Sequence, residues 1–519
     1  MSHRDAHAGA RMTFARRHPL ALLLLLAAAL RVGVTWGASV HHPDELFQYL
    51  EQAHRLVFGY GYVPWEYRDG MRSWLVPWLL AGPMWLGGAL APGTTAYVLL
   101  PRLTVALATS GVVWGAWSLG DRVSRAHALL AGFVAAIWFD QVYFASHTLT
   151  ETIAVAAAVP GVALLYVSPR RRGPSLGEAD RLPPRLGYHL RGSTELAWAG
   201  FLLAFAALAR FHYAPALAVV VAWRCRLDQR AWRLVIAGAL PILALSALVD
   251  WTMGMTPYSW VYANYRRNVL ENAAATYGVS GPFFYFKQLR EWWGLALGPI
   301  AFLAVFGAQR YPQLLLAAML TVALHMTIGH KELRFVLLAM TLLVILAALG
   351  TATLVAMAER HRAAWLAAAF GGWALVSLLL AFHGEMRFRW AEGSPALSAA
   401  AIAGRDPKLC GLAAYDLRYW QSGGWTFLHR DVPVYPVTAR DELGYPPMDA
   451  ATLSRITPAF DAILTTPAGV GAMPRGYAKV TCRVPGGVAP LAERRGRAVC
   501  LYRRAGGCEP RVAEAWRLR

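Results

Sequence analysis

The sequence predicts an α-helical polytopic membrane protein ending in a small soluble domain. Three observations carry this expectation. Of 519 residues, 57% are hydrophobic and only 15% charged, and mean hydropathy is positive, a balance that few soluble chains of this size show. Apolar runs recur at the length a bilayer demands, about 20 residues for a core of roughly 30 Å. After residue 383 the runs stop, and Gly- and Pro-punctuated, alternating segments follow.

The first run, 19–38, has a basic lead (Arg11, Arg16, Arg17, His18) and no small-residue cleavage site before the polar stretch that follows, so it reads as a retained span. Further runs fall at 74–91, 98–118, 127–145, 151–167, 194–209, 211–223, 232–251, 292–309, 311–328, 335–357 and 363–382. Lys and Arg in short loops mark the cytoplasmic side. The basic runs ARRHP, GDRVSR (120–125), PRRRGP (169–174), RCRLDQRAWR (224–233) and ERHR (359–362) all fall on one side only if 74–91 lies along the outer surface. Pro77, Pro83 and the Gly87–Gly88 pair allow that. The expectation is about eleven transmembrane helices, within 10–13, in a membrane domain over 1–383 with outer-face loops at 39–97 and 252–291. The net charge of +20 then reflects topology and argues for no nucleic acid partner.

Residues 395–519 contain strand-like runs (VPVYPV, AVCLYRR) and Cys410, Cys482, Cys500 and Cys508, which predicts a small α/β or α+β domain in an oxidising, extracytoplasmic compartment. No CxxC spacing points to a metal, and the pairing of the cysteines cannot be deduced.

Chemistry concentrates just after the first span. The stretch 41–67, HHPDELFQYLEQAHRLVFGYGYVPWEY, holds four carboxylates, three histidines and seven aromatic rings. Adjacent Asp44 and Glu45 at a membrane surface suit proton abstraction or cation binding. Glu45, Gln48 and Gln52, opposed to Leu46 and Leu50, fit a short amphipathic helix lying on the membrane. His41, His42 and His54 lack metal-ligand spacing and read as hydrogen-bonding groups, and no metal is expected.

HPDELFQYLEQAHRLVFGYG, followed by WEY and MRSWLVP, resembles the first outer loop of glycosyltransferase family 22, lipid-phosphate-mannose-dependent mannosyltransferases of the GT-C superfamily. HKELRF (330–335) is similar to the family's H-K-E-x-R-F, and TYGVSGPFFYFKQ (276–288) resembles its Y-G-x-x-P-W-x-W-Y segment. Pro64 stands where the family has Thr, and Phe283 and Phe284 where it has Trp. The resemblance implies an inverting transferase that moves mannose from a polyprenyl-phosphate-mannose donor to a glycan or glycolipid hydroxyl, with membrane lipid as its surroundings and no required cofactor. It implies Asp44 as the base with Glu45 shaping its orientation. Arg210, His330, Lys331 and Arg334 become candidates for the donor phosphate, by fork or point charge. Glu51, His54, Trp65, Glu66, Arg72 and Glu151 become supporting or acceptor-contacting groups.

The same fold with another lipid-linked sugar, glucose or arabinose, is the alternative. A transporter would need carboxylates near span centres and inverted repeats, whereas the acids here cluster at span ends. The Ala, Arg and Leu bias points to an inner membrane with a periplasmic site; an ER membrane with a lumenal site obeys the same physics.

Overall fold

The computed structural model describes residues 18–37, 39–166, 193–358, 360–437 and 448–518. The basic lead before His18, the run PRRRGP and Glu359 of ERHR lie outside the described residues.

Each of the eleven segments expected to cross is helical: α1 (Pro19–Thr35), α4 (Ala96–Ala108) continued by α5 (Ser110–Asp121), α6 (Arg125–Ile137) with α7 (Phe139–Ala145), α8 (Thr150–Leu165), α9 (Ser193–Ala209), α10 (Ala214–Cys225), α11 (Gln229–Thr252), α13 (Leu297–Ala308), α14 (Pro312–Met326), α15 (Leu337–Met357) and α16 (Arg362–Ala381). The segments between them add α2 (Glu51–Phe58), α3 (Leu75–Leu90) and α12 (Phe284–Trp293). Among the described residues five helical stretches are long and apolar enough to span a bilayer alone, and α6 with α7, bent by 52°, makes a sixth. Five shorter apolar helices, α3 among them, accompany these. The helix α3 packs chiefly on α2 and α4.

The centre of the bundle is α15, apolar on every face and buried along most of its length, as a helix without a polar stripe must be. Pairing in the membrane depends on close backbone approach at small residues. On α9 and α11 a Cβ at Gly200 would collide with the Val235 carbonyl, and one at Gly238 with that of Ala197; Gly307 on α13 and Gly350 on α15 repeat the arrangement. Gly238→Val is therefore expected to lower stability by about 1–3 kcal/mol through overpacking, read as a lower thermal midpoint in detergent. Gly298→Ala, where a Cβ meets open space, leaves the midpoint unchanged.

The C-terminal part is a mixed five-stranded sheet in the order β2-β1-β3-β5-β4, with β1 (Leu412–Tyr415), β2 (Val434–Val437), β3 (Ala462–Thr465), β4 (Ala478–Arg483) and β5 (Val499–Arg503). β1 runs parallel to β2 and β3, and β5 antiparallel to β3 and β4. Cys410 pairs with Cys508, and Cys482 with Cys500 across β4 and β5. Asp461 lies against the first bridge and completes the one His/Cys/Asp/Glu cluster of metal-binding size among the described residues. Both of its sulfurs are joined to each other.

Candidate active site

The expected short helix is present with a wide first turn, but Glu45, Gln48 and Gln52 are buried together with Leu46 and Leu50, so both faces pack inside the protein and the helix does not lie on the membrane surface. Residues Glu45–Leu50 form a π-helix that runs directly into α2. π-turns are uncommon and cluster at functional sites because they re-aim successive side chains. Here successive residues face different partners. Glu45 is fully buried and accepts from His147 Nδ1 at 2.8 Å, from the His41 amide at 3.0 Å and from the Thr148 amide at 3.2 Å. It pins the HTLTE turn (147–151) to the start of the helix. Gln48 donates to Glu66 at 2.6 Å.

Asp44 points the other way, its side chain one-fifth exposed (21%). Its Oδ2 accepts from Arg334 Nη2 at 2.5 Å. Burial alone would raise its pKa, but His42 and then Arg334 outweigh it and hold the carboxyl well below the usual range. The backbone amide of Asp44 lies 3.2 Å from His42 Nδ1, and His42 Nε2 lies 3.4 Å from Glu332.

Arg334 is the hub of the site. Its Nε donates to Glu332 at 2.7 Å, its Nη1 to Glu151 at 3.4 Å and its Nη2 to Asp44. Glu151, buried at the start of α8, also receives Arg210 Nη1 at 3.3 Å. A continuous chain Arg210–Glu151–Arg334–Asp44 results, and buried charges arranged this way rely on one another for compensation.

Beside this chain lies a small pocket of about 30 Å³ lined by Tyr49, Arg72, Ser73, Thr150, Arg210 and His212, among others. Three of the lining residues each carry a buried polar atom without a hydrogen-bond partner: Arg72 Nε, Arg210 Nε and His212 Nδ1. Leaving a buried guanidinium N–H unsatisfied costs about 1–3 kcal/mol, more for charged groups. Arg72 is held in place by its neighbour, since Ser73 donates to Asp250 at 3.1 Å and Asp250 also receives the Trp260 indole at 3.0 Å. Glu66 is pushed up to about 7 by burial, against the pull of Arg72.

The remaining expected residues sit apart from the pocket. Lys331 directs its ammonium to three carbonyls, Ile328 at 2.7 Å, Ser280 at 2.9 Å and Gly329 at 3.4 Å. His330 bonds Glu332 at 3.0 Å. Glu51 is buried behind the site and accepts from the amides of Tyr62, Trp425 and Thr426 and from the Thr426 hydroxyl. The positive φ of Gly423 (79°) and Gly424 (58°) turns those last amides toward it. His54 contacts His429 at 3.1 Å, and burial followed by His429 lowers its pKa to about 3.

A second feature is an apolar groove of about 1300 Å³ walled by α13, α15 and α16, with Trp138, Leu303, Trp373 and Phe382 on its sides and Arg290 and His383 on its polar rim.

Residues 21–388 match the Alg9-like mannosyltransferase family. The chain belongs to that family. GPI mannosyltransferase 3 of Drosophila melanogaster is 30% identical over 64% of this chain and 56% of its own length. The protein of the same name from Yarrowia lipolytica is 25% identical over 82% of this chain and 78% of its own. The chain thus spans little more than half of the fly relative. The crystal structure of ArnT from Cupriavidus metallidurans bound to undecaprenyl phosphate has the same fold, with a TM-score of 0.55 at 11% identity over 93% of this chain and 98% of that one.

Within this Alg9-like chain, the structure brings Asp44, Arg334, Glu151 and Arg210 together, with Arg72 and Glu66 on the pocket side. Sequence reasoning set Arg72 among supporting or acceptor-contacting groups, and the structure lines one pocket with it and Arg210. It passed over His212 and Glu332. His212 had a signal, being a polar residue inside an apolar run directly after Arg210, and Glu332 stood within HKELRF.

Proposed function

We propose that the protein is an inverting glycosyltransferase that moves mannose from a polyprenyl-phosphate-mannose donor to a hydroxyl of a glycan or glycolipid at the outer or lumenal membrane face. The observation that carries this reading is an ionised carboxylate, Asp44, set beside a pocket where Arg72 and Arg210 hold unpartnered Nε donors. Family membership supports the mannose, and the disulfides of the C-terminal domain support the compartment.

In this mechanism the donor phosphodiester sits at the Arg72–Arg210 side of the site and draws on the charge of both guanidinium groups. The acceptor hydroxyl approaches the anomeric carbon from the Asp44 side. As the new C–O bond forms, the hydroxyl acidifies and gives its proton to Asp44, while the C–O bond to phosphate breaks and its electrons pass to the phosphate oxygen. A carboxylate held at low pKa serves because the proton moves late, when the attacking oxygen already carries positive charge. The arginines bind phosphate more strongly as charge accumulates on it, which is the form of stabilisation that raises turnover. Attack opposite the leaving group inverts a β-linked donor to an α-linked product. The prenyl chain lies in the apolar groove on α13, α15 and α16, whose polar rim of Arg290 and His383 faces the headgroup layer.

Purified protein assayed with polyprenyl-phosphate donors that differ only in the sugar tests the reading. Mannose transfer with inversion is the expected result; preference for glucose or arabinose moves the assignment to another lipid-linked sugar on the same site.

The titration of Glu66 near neutrality gives a pH signature. A phosphodiester keeps one negative charge across this range, so any change in donor affinity belongs to the protein. Below about 7 Glu66 is protonated and Arg72 acts on the phosphate uncompensated; above it the carboxylate repels the phosphate by about 1 kcal/mol in a partly solvated site. Donor KM is expected to rise about fivefold as pH passes from 6 to 8, and Glu66→Gln to flatten that rise.

A further inference from the structure

The long outer loop carries a second site feature. Tyr277 is 54% exposed, and its ring lies nearly parallel to that of Trp65, at 18° and 6.4 Å between centroids. Trp65 immediately precedes Glu66, so this ring pair stands at the edge of the reaction centre. Burial and then the charge of Glu66 push the Tyr277 phenol up to about 12, and Asp44 adds to the effect. The phenol ring is linked to Asp44 through His330, which it faces, and Glu332, which bonds both His330 and the Arg334 guanidinium that Asp44 accepts from.

The segment bearing Tyr277 is tied down from one side. Lys331, 6% exposed, bonds the Ser280 carbonyl, and the Ser280 amide donates to Gly329 at 3.0 Å. His330 Nδ1 reaches the Gly278 carbonyl at 3.3 Å, and its ring lies 5.9 Å from that of Tyr277. On the far side Arg267 lies over Trp65 at 5.8 Å and pairs with Asp69 and Glu271. An ammonium whose three donors all go to loop carbonyls organises backbone and has no free donor for phosphate.

We propose that Tyr277, backed by Trp65, is the platform on which the pyranose ring of the acceptor stacks, and that Lys331 is a strap holding that platform over Asp44. This rests on the transferase reading above. An exposed aromatic ring offers an apolar face to sugar C–H groups and a phenol to their hydroxyls, at little entropic cost. Its place beside Asp44 sets the acceptor hydroxyl against the base while the phosphate pocket holds the donor. Tyr277 is then a specificity-determining residue and Lys331 a positioning residue.

The test is binding to the purified full chain in lipid nanodiscs, with a soluble methyl α-mannobioside and, separately, undecaprenyl phosphate as probes. Tyr277→Ala is expected to weaken mannobioside binding about tenfold, Tyr277→Phe to stay close to wild type, and neither to change undecaprenyl phosphate binding. Lys331→Met is expected to weaken the mannobioside comparably and to speed amide exchange over 276–281, again sparing undecaprenyl phosphate. Equal mannobioside affinity in wild type and Tyr277→Ala, or none in wild type, overturns the platform. Loss of undecaprenyl phosphate binding in Lys331→Met overturns the strap and makes Lys331 a phosphate ligand. Wild type that binds mannobioside but not undecaprenyl phosphate refutes the lipid-phosphate reading and leaves the platform standing.

Discussion

Asp44→Asn is expected to lose about 10²–10⁴-fold in transfer rate, the range that a positioned general base supplies. The amide keeps the shape of the carboxyl and its exposed position, but it cannot take the acceptor's proton. Arg334 keeps Glu332 and Glu151 as partners, so the site should persist around the change. Donor KM should hardly move while kcat collapses, the signature of an interaction made in the transition state. Transfer within about tenfold of wild type would remove Asp44 from the role of base.

The second large effect belongs to Arg210. Its guanidinium shares Glu151 with Arg334 through Nη1, keeps its Nε buried and unpartnered, and lines the pocket. Arg210→Met leaves Glu151 its bond to Arg334 and takes one cation away from the leaving phosphate. A loss of about 10²–10³-fold in kcat is expected, the scale of removing a preorganised donor from developing negative charge. Arg210→Lys retains the charge without the fork and should fall between, about 5- to 150-fold below wild type. Steady-state rates against donor concentration separate the two contributions: a rise in donor KM reports ground-state holding, a fall in kcat the stabilised leaving group. If Arg210→Met behaves as wild type, the phosphate sits elsewhere.

Much of the architecture was legible because bilayer thickness and the Lys/Arg bias act on long windows of sequence. All eleven segments expected to cross are helices, and the strand-like runs VPVYPV and AVCLYRR contain β2 and β5. The site was legible at the level of motifs and obscure at the level of partners. Asp44, Glu151 and Arg334 each stood in a quotable stretch, but that one guanidinium joins them across 290 and 183 residues of chain is a property of helix packing that no local pattern carries. Arg72 shows the same limit: its sequence neighbours suggested the acceptor, while its contact with the Arg210 pocket depends on where α9 ends. For Lys331 spacing left anchoring and catalysis open, and the three carbonyls around its ammonium come from loop conformation. The cysteine pairing likewise required the register of β4 on β5.

Glu51 has a further consequence, for the order in which the enzyme matures. Of the groups that satisfy its buried carboxylate, one lies 11 residues away and the others 374 and 375 residues downstream. During synthesis the helix following Asp44 therefore carries an acid that finds most of its hydrogen bonds only after the segment around Trp425 has been made and folded. A chain that stops short, or whose soluble domain fails to form, keeps a carboxylate in an apolar setting with one local donor, a state that burial strongly disfavours. Glu51 thus braces the helix after Asp44 against a segment more than 370 residues downstream.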